Sequence, residues 1–193
     1  MAITLGGSLG AVAEDIPAQT SIPMSGTALD AFHPFIGHCW EGELPKNGGT
    51  DVHCFQWVYD QKFVEDRHEV RGAGPLYEGR TLYMQEPETG EITYLYWASA
   101  GGASRGKVVA KPDGLYFPAE SYTNEAGESR VFRSKWLEAE GASFISIMQE
   151  QTAEGWKDLW QVTYSDIGLA PEPERLAPRR YDENGNIEEA KPD

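Results

Sequence analysis

Residues 52–71, VHCFQWVYDQKFVEDRHEVR, decide the fold. In the first half His53, Phe55, Trp57 and Tyr59 alternate with Val52, Cys54, Gln56 and Val58. In the second half Val64, Asp66, His68 and Val70 alternate with Phe63, Glu65, Arg67, Glu69 and Arg71. A period of two belongs to a β-strand, whose successive side chains point to opposite faces. Asp60-Gln61 supplies a tight turn between the halves, so the two strands pair antiparallel. Glu65, Arg67, Glu69 and Arg71 mark the wet face of the second strand, which turns Val64, Asp66, His68 and Val70 inward. With the turn centred on Asp60-Gln61, His68 lies opposite His53.

The pattern continues in both directions. Runs rich in Val, Ile, Thr, Tyr, Phe and Trp predict strands at about 37–44, 52–59, 62–71, 77–85, 91–98, 104–110, 114–121, 129–137, 142–150 and 156–165. Between them stand turn formers such as Pro87-Glu88-Thr89-Gly90, Pro112-Asp113-Gly114 and Asn124-Glu125-Ala126-Gly127. Every connection is short, which forces neighbours to pair antiparallel. Twist and edge protection then favour closure. The expected fold class is all-β: an antiparallel up-and-down meander of about ten strands closed into a barrel over 31–166. The apolar lead-in LDAFHPFI, 29–36, reads as a helical turn closing one end. The loop Pro45-Lys46-Asn47-Gly48-Gly49 sets Cys39 opposite Cys54 and Trp40 opposite His53. A disulfide there would close a loop of about 15 residues and contribute about 3 kcal/mol in the chain-entropy model.

The chain has 193 residues, which suits one domain with tails. Apolar residues make up 40% and aromatics 11%, enough for a core. Sixteen Lys and Arg stand against 31 Asp and Glu, a formal charge of −15. Such a surface repels phosphate backbones and anionic lipid, so nucleic acid and membrane surfaces are poor partners. Residues 1–13 form a small, apolar run without charge that ends Ala11-Val12-Ala13, an A-x-A pattern. It reads as the remnant of a secretory signal and sets an expected periplasmic or secreted location. The run is too short and glycine-rich to span a bilayer. Residues 14–30 read as a linker, and 167–193 as an acidic, Pro-rich, disordered tail.

Gly37-His38-Cys39-Trp40, after the apolar lead-in, resembles the opening of calycin barrels such as lipocalins, fatty-acid-binding proteins and nitrobindin-like proteins. The stretches Tyr77–Tyr83, Ile92–Trp97, Gly101-Gly102 and Gly106 are similar to an uncharacterised group of exported bacterial calycin-like proteins. The likeness covers roughly 32–165. Two residues separate Gly37 from Trp40, where lipocalins commonly have one. It implies a barrel with an interior ligand site. Haem is not carried over: nitrobindin-like proteins ligate it through a histidine near the C-terminus, and the last histidine here is His68. The cofactor stays unknown.

Three groups of residues could carry chemistry. His38, His53, Asp66 and His68 could converge on one wall as metal ligands or a general base, or satisfy one another as a buried polar cluster. Tyr83, Tyr94, Tyr96, Trp97, Tyr116, Phe132, Trp136, Phe144, Trp156, Trp160 and Tyr164 could line an apolar cavity or fill a core. Arg80, Arg105, Arg130 and Arg133 lie on or beside strands; an inward one would pair with a carboxylate, including that of a fatty acid. The His-Cys dipeptides suggest zinc, but adjacent strand residues point apart. Ser99 and Ser104 lack a nucleophile elbow.

The leading expectation is a small, mainly apolar molecule held inside the barrel. His53, Trp57, Asp66, His68, Tyr94, Tyr96, Arg105 and Arg133 are the candidate contacts, and Cys39–Cys54 the disulfide. No catalytic or metal-ligating residue is assigned. The alternatives are an enzyme using the His/Asp cluster and an exported interaction module with a filled core.

Overall fold

A computed structural model describes residues 26–45, 48–72 and 74–171. The expected leader, most of the linker and most of the tail lie outside the described residues. After a short 3₁₀ helix, Ala28–Phe32, come ten strands: β1 His38–Glu43, β2 Thr50–Val58, β3 Phe63–Arg71, β4 Tyr77–Gln85, β5 Ile92–Ala98, β6 Ala103–Lys111, β7 Gly114–Thr123, β8 Ser129–Glu138, β9 Ser143–Thr152 and β10 Gly155–Leu169. Each pairs antiparallel with its neighbours in sequence, and β10 returns to β1, closing the barrel. The all-β, up-and-down barrel read from the alternation is thus the fold.

The β2–β3 ladder sets His53 opposite His68 and Phe55 opposite Asp66. The β1–β2 ladder sets Cys39 opposite Cys54 and Trp40 opposite His53. The connection after Val58 is longer than a two-residue turn. Tyr59, Asp60 and Gln61 all take positive φ, at 51°, 53° and 63°, and the four-residue loop keeps the expected centre. β10 runs past the expected end near 165, because Ser165, Asp166, Gly168 and Leu169 pair with β1.

Ten strands enclose a wider lumen than the eight whose side chains just fill a small barrel. Aromatic rings take up the extra width at one end. Leu29 and Phe32 from the 3₁₀ helix are buried there, with Phe35 just beyond. Phe35 packs on Trp40, Phe55, Trp136 and Phe144 at ring separations of 5.2–5.8 Å. Phe32 meets Tyr83 at 4.5 Å, and Phe117 meets Trp136 at 4.7 Å. Each buried ring is worth about 1.5–3 kcal/mol over an exposed one. The indole N–H of Trp40 donates to the Phe35 carbonyl at 3.3 Å, tying lead-in to barrel.

The opposite end is less tightly packed. Inward residues at the plugged end are buried: Phe55, Val64, Ile92, Leu115 and Phe144. Toward the other rim Val70, Tyr77, Tyr96, Tyr122, Phe132 and Met148 face inward by alternation yet are only half-buried. By burial the lumen is thus cup-like, plugged at one end and partly exposed at the other.

Candidate functional site: the polar floor of the cup

Above the plug sits a band of polar groups. His53 on β2 is held between two carboxylates: its Nδ1 lies 2.9 Å from Asp66 Oδ2, and its Nε2 lies 3.4 Å from Asp51 Oδ2. Both ring nitrogens can donate only in the imidazolium form. Burial opposes that charge, but the Asp66 and Asp51 carboxylates overcome it and hold His53 well above the ordinary histidine range. Burial likewise opposes ionisation of Asp51. The His53 charge, its hydrogen bond and the Tyr164 hydroxyl outweigh that and bring the carboxyl down to about 2. Tyr164 Oη donates to Asp51 Oδ2 at 2.7 Å.

His68 behaves in the opposite way. It stacks on His53, ring centroids 4.8 Å apart, and on Tyr96 at 6.0 Å. Burial and the neighbouring His53 charge lower its pKa, so it is neutral. Its Nε2 faces Asp51 Oδ1 at 3.9 Å, beyond hydrogen-bond reach. That oxygen has no hydrogen-bond partner among the described residues, although Asp51 is only 7% exposed.

The facing wall carries Glu120 on β7. The β7–β8 register shifts between Phe117 and Glu120, and after the shift Glu120 stands opposite Phe132. Its carboxylate accepts a hydrogen bond from the Tyr94 hydroxyl. Burial raises its carboxyl to about 7. Among the described residues it has no ion-pair partner.

Tyrosines join the two walls, and glycines make room for them. A Cβ at Gly79 would lie 2.7 Å from the Tyr96 ring, and one at Gly106 would lie 2.7 Å from the Tyr94 hydroxyl. A Cβ at Gly102 would fall within the Tyr122 hydroxyl. Tyr77 and Tyr96 hydroxyls are hydrogen-bonded to each other. Tyr96 neighbours Tyr122 at 6.3 Å, and Tyr122 neighbours Phe132 at 6.4 Å.

Of the residues singled out in the sequence, the structure brings His53, Asp66, His68, Tyr94 and Tyr96 to this cup. Trp57 faces inward at the plugged end, against His33. Arg105 is exposed on the outer face opposite Leu95, so it does not reach the lumen. Arg133 is also outside: it donates to Gln149 at 2.6 Å and lies over the Trp156 ring at 4.3 Å. Both arginines follow alternation, since their strand neighbours Ser104 and Ser134 take the inward positions. His38 sits apart, 2.8 Å from Asp166. Cys39 and Cys54 are joined in a disulfide. No set of three or more His, Cys, Asp or Glu among the described residues is placed to hold a metal.

Asp51, Glu120, Tyr77 and Tyr122 are site residues that sequence reasoning missed. Asp51 was within reach, two positions before His53 on the same face. Glu120 was not, because the bulge after Phe117 changes the alternation; Pro118 is the one mark of it. Two concave patches lie away from this chemistry, one between the rim loops at Ala100 and Asn124–Ala126, the other along the β1–β10 seam by Glu41 and Gln161. No described helix is long and apolar enough to cross a membrane. The sequence matches no family model, and no curated protein matches it.

Proposed function

We propose that this chain is a calycin-like binding protein that takes a small molecule into the less tightly packed half of its barrel, apolar body against the aromatic walls and polar head on the His/Asp/Glu floor. The observation that carries this reading is the asymmetry of the lumen. One end is packed with buried rings, while inward aromatic and polar groups at the other keep contact with solvent. Binding sites commonly combine such walls with a few convergent polar groups. Burial of ligand surface at about 25 cal/mol per Å² would drive binding. An exported setting goes with this reading, since a disulfide persists best in oxidising compartments and the first 13 residues have the character of a leader.

The test is a titration with a small aromatic probe, followed by backbone NMR. Saturable shifts clustered on Tyr96, Tyr122 and Phe132 are expected. Shifts confined to the outer face, or none in folded protein, would overturn the proposal.

A second reading, acid–base catalysis in the same cup, is favoured by one observation. Burial and the His53 charge pull His68 toward its neutral form while burial raises the Glu120 carboxyl to about 7 in the same lumen, and environments that push the pKa values of titratable groups apart mark acid–base pairs. Hydrogen–deuterium exchange at an activated C–H of a bound probe, lost in His68→Ala, would support it.

A further inference from the structure

We infer that the cup selects a protonated amine: a small organic cation whose ammonium is seated between Glu120 and the rings of Tyr94, Tyr96, Tyr122 and Phe132. The inference rests on the binding reading above and adds the charge of the ligand.

Charge balance inside the barrel is the first ground. The deep lumen holds three carboxyl groups, Asp51, Asp66 and Glu120, and its one cation among the described residues is the His53 imidazolium, already clasped by Asp51 and Asp66. At the rim Arg130 is committed to Glu150 at 2.6 Å and to the face of Phe132 at 5.1 Å. Lys157, opposite Glu150 in the β9–β10 ladder, is exposed beyond it. Neither of these rim cations forms an ion pair with Glu120 among the described residues. The arginines that could have received a fatty-acid carboxylate, Arg105 and Arg133, lie outside. The lumen is thus poor ground for an anion and carries an unmatched carboxyl.

The nature of the walls is the second ground. A cation over an aromatic face gains from the ring quadrupole, most when water is excluded. Tyr94, Tyr122 and Phe132 place three such rings beside Glu120: Tyr94 is hydrogen-bonded to it, Tyr122 is two residues on, and Phe132 is its cross-strand partner; Tyr96 continues the wall as a neighbour of Tyr122 at 6.3 Å. The Arg130–Phe132 contact is the same chemistry already used at the rim.

A third ground is the orphan acceptor on the floor. Asp51 Oδ1, 3.9 Å from His68 Nε2, has no hydrogen-bond donor among the described residues, and an unmatched buried carboxylate oxygen is costly. An ammonium brings N–H donors, which a quaternary nitrogen lacks. A low-dielectric cleft lined by one sign of charge also focuses attraction for the opposite sign, and the chain's −15 acts in the same direction.

The experiment compares three probes with one phenyl body: 2-phenylethylamine, 2-phenylethanol and phenylacetate. Tryptophan fluorescence or calorimetry is used at about pH 8, where the amine is protonated. The amine should bind at least about tenfold more tightly than the alcohol, and phenylacetate most weakly. Glu120→Gln should weaken the amine at least about tenfold and so erase its advantage over the alcohol. Tyr122→Leu, at the half-buried rim, should weaken the amine more than the alcohol; near-UV circular dichroism confirms folding of both variants. Alcohol and amine binding equally, or phenylacetate binding best, would overturn the choice of ligand charge while leaving the cup as a binding site. Failure of all three probes would overturn the binding reading itself.

Discussion

At the scale of single residues, two carboxyls in one lumen are pushed in opposite directions. His53 and Tyr164 complete the environment of Asp51, whereas Glu120 has one phenol. The sign of each pH effect follows. His53 is raised, so its pairing stabilises the fold below the ordinary histidine pKa near 6.5, and this is lost as pH climbs through the folded value. Asp66→Asn should therefore destabilise by about 2–4 kcal/mol at about pH 6, because it leaves a buried imidazolium half-paired, and by less at about pH 9. Urea unfolding at the two pH values checks this; an equal loss at both would mean that His53 is not charged. Glu120 is the reverse case. Its carboxyl is raised from 4.5 to about 7, so the folded state resists ionisation and stability falls as pH rises through that interval. Glu120→Gln should raise stability by about 1–3 kcal/mol at about pH 8 and not at about pH 4. A variant less stable at the higher pH would show that the carboxylate is matched by a cation after all. Reading these residues from sequence succeeds where alternation is unbroken. His53, Asp66 and His68 fall on the inner face of an uninterrupted hairpin, but Pro118 alone marks the bulge past which Glu120 turns inward.

At the scale of strands and turns, the alternation is legible because most inward positions are apolar or aromatic and most outward ones polar. The exceptions are instructive. Leu95 and Trp97 stand exposed on the outer face of β5, Trp97 at 45%, while Tyr94 and Tyr96 face in. A run of five aromatic and aliphatic residues, Tyr94-Leu95-Tyr96-Trp97-Ala98, carries no polar beat, so only the glycine partners of Tyr94 and Tyr96 betray the inner side. Arg105 and Arg133 escape a sequence reading for a related reason: a long cationic side chain on a strand has no periodic signature of its own. Turns can be tested directly. Gly114 has φ +146°, and a Cβ there would lie 2.0 Å from the Trp136 carbonyl oxygen, a backbone atom that cannot swing aside. Gly127 has φ +81° but nothing within 4 Å. Gly114→Ala should therefore cost about 3 kcal/mol or more and Gly127→Ala about 1 kcal/mol, as expected for strain plus overlap against strain alone. Thermal melts of the two variants distinguish them, and equal losses would refute the steric argument.

For the whole molecule, closure is the weak step. The β2–β3 ladder joins nine residue pairs, whereas β1 meets β10 through four, with the register shifting after Cys39. Gly42 lies so close to β10 that a Cβ would reach within 2.4 Å of Val162 Cγ1, yet the ladder has already ended at Glu41 and Ser165. β1 is also the shortest of the ten strands. What fixes it is the neighbour on its other side: the disulfide binds Cys39 to Cys54 beside the point where β10 bulges at Ile167, between the Cys39 and Trp40 pairs. Closing a loop of that length is worth about 3 kcal/mol in the chain-entropy model, but its position gives it a second effect. With the bond intact, β1 can leave β10 only by straining β2, which the nine-pair ladder anchors to β3. Reduction removes that restraint, so β1 and the far end of β10 should open together. Amide hydrogen exchange before and after reduction tests this. Protection at Trp40, Glu41 and 165–169 should fall in concert, with β5–β8 unchanged below the unfolding midpoint, since local opening needs only the interactions at the seam. Faster exchange in β1 alone would place closure in the β10 contacts. Uniform loss across all strands would show that the barrel opens only as a whole.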